Sequence, residues 1–261
     1  MSQDLKELLE AMRKPETRPA SCEKHGAFES RKLFGGVWSK CAKCAEEHEA
    51  EERKRQAEMA AENQRRAWAQ KIGRAGIPER FRDRELANYI AKTEGQQRAL
   101  TFAQAYAQGF EDVAKTGRSA LFIGKPGTGK THLAIGIALH VMREHKRNAL
   151  FVTVMRAIRS IKETWRKDSE MSEADAIEDL VFPDLLILDE VGIQFGSDAE
   201  KLLLFDVLNE RYERRKPTLM LSNLTAQEVA AYLGERVMDR LREDGGRTIV
   251  FDWESHRGAK P

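Results

Sequence analysis

Eight consecutive residues, Gly124, Lys125, Pro126, Gly127, Thr128, Gly129, Lys130 and Thr131, read G-x-x-x-x-G-K-T. An apolar triplet, Leu121, Phe122 and Ile123, precedes them, and Leu133, Ile135, Ile137, Ala138 and Val141 follow at helical spacing. Strand, glycine-rich turn and helix in that order make a loop that cradles phosphates. Glycines let the backbone wrap an anion with its N–H groups inward, and the helix start adds the positive end of its dipole. Lys130 is suited to the β and γ phosphates, and the Thr131 hydroxyl to Mg²⁺.

A second cluster ends another apolar run. Leu185, Leu186, Ile187 and Leu188 lead into Asp189 and Glu190. Carboxylates at the C-terminal end of a buried strand sit where α/β sheets place their sites. Asp189 is expected to hold Mg²⁺ through water, and Glu190 to activate the attacking water. The run from Thr218 to Ser222 ends at Asn223. A strand lying between the two signature strands would bring Asn223 to the γ-phosphate, although Asn is also a common turn residue.

The third constellation is metallic. Cys22-x-x-His25 and Cys41-x-x-Cys44 are two knuckles fifteen residues apart, a four-ligand set for tetrahedral Zn²⁺. His48 is a substitute fourth ligand that breaks the spacing. These are the chain's three cysteines; an odd, clustered number speaks for bound thiolates rather than disulfides. Gly35 and Gly36 suit a small hairpin between the knuckles, and so few large apolar residues surround them that the metal would supply the folding energy.

Two arginine-bearing helices complete the candidates. Arg156, Arg159, Lys162 and Arg166 share one face of a helix expected over 155–167, with Ile158, Ile161 and Trp165 on another. Such a stripe fits a nucleic-acid backbone and equally a solvated face. Arg236 and Arg240 lie one turn apart on a second helix and could serve as an arginine finger or as surface ion-pair partners.

The elements that must position these groups follow from pattern. Residues 1–14 carry Leu5, Leu8, Leu9 and Met12 on one stripe, for a helix that packs locally or docks a partner. Residues 45–71 are dense in charge, with i,i+4 pairs Glu49–Arg53, Glu51–Arg55 and Glu62–Arg66, and read as a solvated helix. A helical pattern over 94–114 leads into the phosphate-loop strand. Strands follow at 149–154, 184–188, 218–222 and 248–251, with an amphipathic helix over 201–215. The expected division is a zinc module at 1–48, a helical linker at 49–75 and a nucleotide domain at 76–261.

Composition narrows the partners. Formal net charge is +2 with 33% charged residues, so nucleic-acid contact must come from local patches. No apolar run approaches a membrane span and no secretory leader is visible, so a cytoplasmic protein without membrane contact is expected.

From about Ile77 onward the chain resembles the DnaC/IstB-type AAA+ ATPases. The carriers are Ile77-Pro78-Glu79-Arg80-Phe81, the loop from Gly124 to Thr131, Leu185 to Glu190, and Leu221-Ser222-Asn223. Gly-Glu-Arg-Val-Met-Asp-Arg at 234–240 and Phe251-Asp252-Trp253-Glu254-Ser255 complete the match and look most like the replicative helicase loaders. The resemblance implies an AAA+ P-loop NTPase with a five-stranded parallel sheet and no C-terminal lid domain. It implies ATP with Mg²⁺, Asn223 as the sensor, Arg240 as the finger reaching a neighbour's ATP in an ATP-dependent homo-oligomer, and residues 155–167 as the extra helix of initiator-type relatives. The implied partners are a hexameric replicative helicase and single-stranded DNA. The alternatives are a transposase-helper ATPase of the IstB type and a zinc-ribbon adaptor whose ATPase is a nucleotide-dependent scaffold.

Overall fold

The computed structural model describes residues 16–33, 35–192 and 198–256. The apolar stripe at 1–14 therefore lies outside the described residues. The chain divides into two compact units between Trp68 and Ala69.

In the first unit, β1 (Thr17–Cys22) pairs antiparallel with β2 (Gly26–Arg31), from Thr17 opposite Arg31 to Cys22 opposite Gly26. The chain reverses at Gly26, whose φ of +75° favours glycine. A second, smaller reversal lies where Gly35 and Gly36 suggest one, closed by the Lys32–Trp38 bridge. The Ser30 hydroxyl donates to the Ser39 carbonyl at 2.7 Å, and the Arg18 guanidinium lies 4.3 Å from the Trp38 ring centroid. Helix α1 (Ala42–Arg74) then runs 33 residues, almost all exposed up to Trp68. Glu49–Arg53 and Glu62–Arg66 pair along it.

The second unit is a three-layer α/β domain. Its elements are α2 (Glu94–Gln108), α3 (Phe110–Thr116), β3 (Ala120–Gly124), α4 (Lys130–Glu144), β4 (Ala149–Thr153), α5 (Val154–Glu163), α6 (Glu173–Val181) and β5 (Leu185–Asp189). They continue with α7 (Asp198–Glu213), β6 (Thr218–Ser222), α8 (Ala226–Leu233), α9 (Glu235–Arg242) and β7 (Arg247–Phe251). The sheet is parallel throughout, in the order β4-β5-β6-β3-β7. Side chains alternate across it, as the period of two requires. Leu121, Ile123, Leu186, Leu188 and Met220 share one core with residues of α5 to α9. On the other face Phe122 meets Phe102 of α2, ring centroids 6.0 Å apart. Because the central strands are covered on both faces, they read as continuous apolar runs.

Three expected elements differ. The pattern over 94–114 splits at Gly109 into α2 and α3. Helix α7 starts three residues earlier than expected, at Asp198, and leaves Leu202 and Tyr212 exposed while Leu203, Leu204, Val207 and Leu208 face the core. Helix α5 ends at Glu163, short of the expected 167. Its last turn tightens to i,i+3 bonds, Thr164 N–H to Ile161 O at 3.1 Å and Trp165 N–H to Lys162 O at 3.1 Å. That rotates the following residues off the α-helical stripe.

Candidate nucleotide site and metal centre

Strand β3 delivers the glycine-rich loop at its C-terminal end, and the loop opens directly into α4. Gly124 has φ +139°, and a Cβ there would lie 2.1 Å from the Phe251 carbonyl oxygen. Gly129 has φ +98°, and its Cβ would lie 2.8 Å from the Tyr89 ring. Neither position accepts a side chain. Inside the loop the Thr128 hydroxyl donates to Lys125 O at 2.8 Å, while Lys125 and Pro126 face solvent. The Lys130 amino group donates to Gly124 O at 2.6 Å, Lys125 O at 2.9 Å and Asn223 Oδ1 at 2.9 Å.

The last contact depends on strand order. Strand β6 lies between β3 and β5, so Asn223 leaves the sheet beside the phosphate loop. On the far side of β6, Asp189 ends β5, and its Oδ2 accepts from the Thr131 hydroxyl at 3.1 Å. The two groups expected to share Mg²⁺ are thus adjacent, and their hard oxygens suit that ion. Glu190 is exposed and has φ +64°, a left-handed conformation that is costly for any residue but glycine. Its N–H donates to Asp189 Oδ1 at 2.8 Å. The structure brings together Gly124 to Thr131, Asp189 and Asn223, with Glu190 next in the chain.

Arg240 is elsewhere. It lines a small cleft with Gly117, Ser119 and Thr218, residues at the starts of β3 and β6, opposite the phosphate loop. Its guanidinium donates to Asn209 and lies 4.6 Å from the Tyr212 ring centroid. Arg236 on the same helix is exposed.

The basic stripe changes shape. Arg156 and Arg159 stand exposed on α5; Lys162 pairs with Glu200 at 3.0 Å. Arg166 lies beyond the helix end and pairs with Asp168 at 3.3 Å. Trp165, expected on the apolar stripe, is 52% exposed, with its indole N–H bonded to Glu173. An exposed aromatic beside these cations was missed because a helical wheel continued past Glu163 hides it. Tyr89, also missed, packs on Gly129 and edge-on to His132, centroids 5.2 Å apart. Its hydroxyl is buried without a partner among the described residues.

In the first unit Cys22, His25, Cys41 and Cys44 converge, with ligand atoms all within 4.8 Å of one another. Cys22 ends β1, His25 sits in the turn, Cys41 precedes α1 and Cys44 lies in its first turn. His25 Nδ1 is 3.3 Å from Cys44 Sγ, 3.7 Å from Cys41 Sγ and 3.9 Å from Cys22 Sγ; the Cys22 and Cys44 sulfurs are 3.4 Å apart. Ligands about 2.3 Å from a tetrahedral Zn²⁺ lie about 3.8 Å from each other, so the residues fit that ion. His25 Nε2 faces Glu47 Oε1 at 3.0 Å, which turns Nδ1 toward the thiols, and Lys24 holds the other Glu47 oxygen at 2.6 Å. Backbone N–H groups of His25 and Lys24 draw the Cys22 thiol down to about 6, while its hydrogen bond to Cys22 pushes Cys44 up to about 11. His48 is outside the cluster, exposed and 3.9 Å from Glu52.

A five-stranded parallel sheet carrying this loop and acidic strand end defines a P-loop nucleotide-binding protein of the AAA+ kind. The model of the family described as IstB-like ATP binding protein matches residues 52–243. The chain belongs to that ATP-binding family. Over 204 residues it is 36% identical to the replicative helicase loader DnaC of Escherichia coli K12, covering 78% of this chain and 81% of that one. Among solved structures it resembles a DnaC helicase loader (TM-score 0.60, 23% identity, 66% of this chain and 99% of that one). It also resembles DnaI (TM-score 0.56, 23% identity, 67% of this chain and 94% of that one). These two likenesses establish the fold. Among the described residues no helix is long and apolar enough to cross a membrane.

Proposed function

We propose that this protein is an ATP-hydrolysing loader of a hexameric replicative helicase onto single-stranded DNA. The observation that carries the reading is the 36% identity to a replicative helicase loader across most of both chains. Hydrolysis is assigned to the loop and strand ends. Lys130 binds phosphate charge, Thr131 and, through water, Asp189 hold Mg²⁺, and Glu190 takes a proton from a water that Asn223 orients. A bound Mg²⁺ neutralises charge on the phosphates. Arg240 completes a neighbour's site in an ATP-dependent assembly; its place at the starts of β3 and β6, opposite its own loop, supports action in trans.

DNA contact is assigned to Arg156, Arg159, Lys162 and Arg166, with Trp165 as a surface on which a base stacks. Exposed cations beside an exposed indole support that assignment. Zn²⁺ is assigned to Cys22, His25, Cys41 and Cys44. The working division remains a zinc module at 1–48, a linker at 49–75 and the ATPase at 76–261.

The deciding experiment mixes the purified chain, ATP and single-stranded DNA circles with the cognate hexameric helicase, beside a parallel pull-down with an IS21-type transposase. Helicase transferred onto closed circles only when the chain and ATP are present is the expected result. Capture of the transposase without the helicase would overturn the reading in favour of the transposase-helper alternative.

A further inference from the structure

The phosphate loop is held from outside by a segment 125 residues further along the chain. The Trp253 indole N–H donates to the Thr128 carbonyl at 2.8 Å, and the His256 backbone N–H donates to the Gly127 carbonyl at 2.9 Å. Both carbonyls belong to the loop itself. A trans peptide is planar, with its C=O and N–H pointing opposite ways. The carbonyl of Gly127 shares its peptide with the N–H of Thr128, and that of Thr128 with the N–H of Gly129. Fixing the two oxygens on the outside therefore turns those two N–H groups to the concave side, where a phosphate sits.

The segment is itself immobilised. Trp253 is buried, its ring centroid 4.9 Å from that of Phe251. Gly95 leaves room for the indole: a Cβ there would come within 3.2 Å of it. Gln96 accepts from the Lys92 and Thr93 N–H groups through Oε1, which leaves its amide nitrogen to face His256 Nε2 at 3.0 Å. The capped start of α2 thus anchors residues 253–256, and these anchor the loop.

We infer that residues 251–256 clasp the phosphate loop, with Trp253 a positioning residue that aims the Gly129 N–H, and the His256 backbone N–H aiming that of Thr128, at the nucleotide's phosphates. The inference rests on the ATP-site reading and deepens it. Trp253 does not touch the nucleotide; it acts through the loop backbone. Its loss weakens any ligand that occupies the loop with phosphates, whether or not a base is attached.

The test uses the full chain with Trp253→Phe, which keeps a ring against Gly95 and Phe251 but lacks the N–H. A second form carries benzothienylalanine at position 253, the same bicyclic shape with sulfur replacing the N–H. Affinities for ATP and for inorganic tripolyphosphate are measured by competition against a fluorescent ATP analogue, with melting temperatures alongside. The expected result is a loss of about five- to tenfold for both ligands, the worth of one hydrogen bond, in both forms and with the isostere melting like the parent. Unchanged affinities in the isostere overturn the clasp. Weakened ATP with unchanged tripolyphosphate also overturns it, because Trp253 would then serve the base. A parent chain that binds neither ligand overturns the ATP reading itself, and the clasp with it.

Discussion

Replacing Arg211 with methionine should cost the ATPase domain a large part of its stability. Arg211 is fully buried on α7. Its Nε donates to the Thr218 hydroxyl at 2.9 Å and its Nη2 to Pro217 O at 2.7 Å. Its Nη1 reaches Leu180 O at 3.0 Å, Val181 O at 2.9 Å and Pro183 O at 2.9 Å. The guanidinium thus neutralises the carbonyl end of α6 and ties it to the start of β6. Burial pulls its pKa down to about 9, so it stays charged at neutral pH. Methionine fills the aliphatic volume but leaves five acceptors without their donor. At roughly 1 kcal/mol each, less about 1 kcal/mol regained from apolar packing, the loss is about 4 kcal/mol. A domain of this size loses roughly 2–4 °C per kcal/mol, which gives a fall of about 8–16 °C. Thermal unfolding by circular dichroism measures it. ATP affinity, read well below the transition, should stay near parental, since the residue lies at the strand starts. A melting temperature within about 2 °C of the parent would refute the reasoning, because one kcal/mol would already exceed that.

Glu190→Gln should bind ATP normally and slow its hydrolysis about a hundredfold or more, the contribution of a positioned base; parental turnover in a phosphate-release assay rejects the assignment. Glu47→Ala should weaken zinc about 10–100-fold in a chelator competition, because His25 loses the partner that orients it; a chain purified without zinc, with three freely reactive thiols, rejects the site. Arg240→Ala should spare ATP binding and depress hydrolysis, and mixing it with Lys130→Ala should restore activity at shared interfaces; co-assembly without recovery speaks against a finger in trans. Trp165→Ala should reduce single-stranded DNA affinity by about 1–3 kcal/mol with the salt slope unchanged, whereas Arg156→Ala with Arg159→Ala should flatten the log–log slope by roughly 0.7 per lost phosphate contact. Equal affinities and slopes in filter binding would make this surface a solvated face.

The nucleotide site was legible because its parts are local. A loop of three glycines between a strand and a helix carries its own geometry, and four apolar residues ending in Asp189 and Glu190 state both a buried strand and the end at which its carboxylates emerge. Even the position of Asn223 beside the loop could be framed in advance, since it needed only β6 to fall between β3 and β5, and it does. What stayed hidden depends on distant partners or on small changes of helical pitch. Nothing in the amphipathic pattern over 201–215 marks Arg211, whose partners are the carbonyls of Leu180, Val181, Pro183 and Pro217. Trp165 reads as core until the last turn of α5 tightens. Trp253 stands out in the family resemblance, but its hydrogen bond to Thr128 joins residues 125 positions apart, beyond any periodicity.

Glu190 sets backbone strain against a proposed chemical role at this end of the sheet. Its backbone sits where a β-carbon is crowded, at φ +64°, and glycine would relieve about 1 kcal/mol there. The neighbouring Gly192 also has a positive φ, +82°, and there the residue is the one that takes it without strain. With the role proposed for Glu190 as the water-activating base, the turn after Asp189 is a trade in which durability yields to chemistry. A survey of variants that scored only thermal stability would rank the loss of this side chain among its improvements.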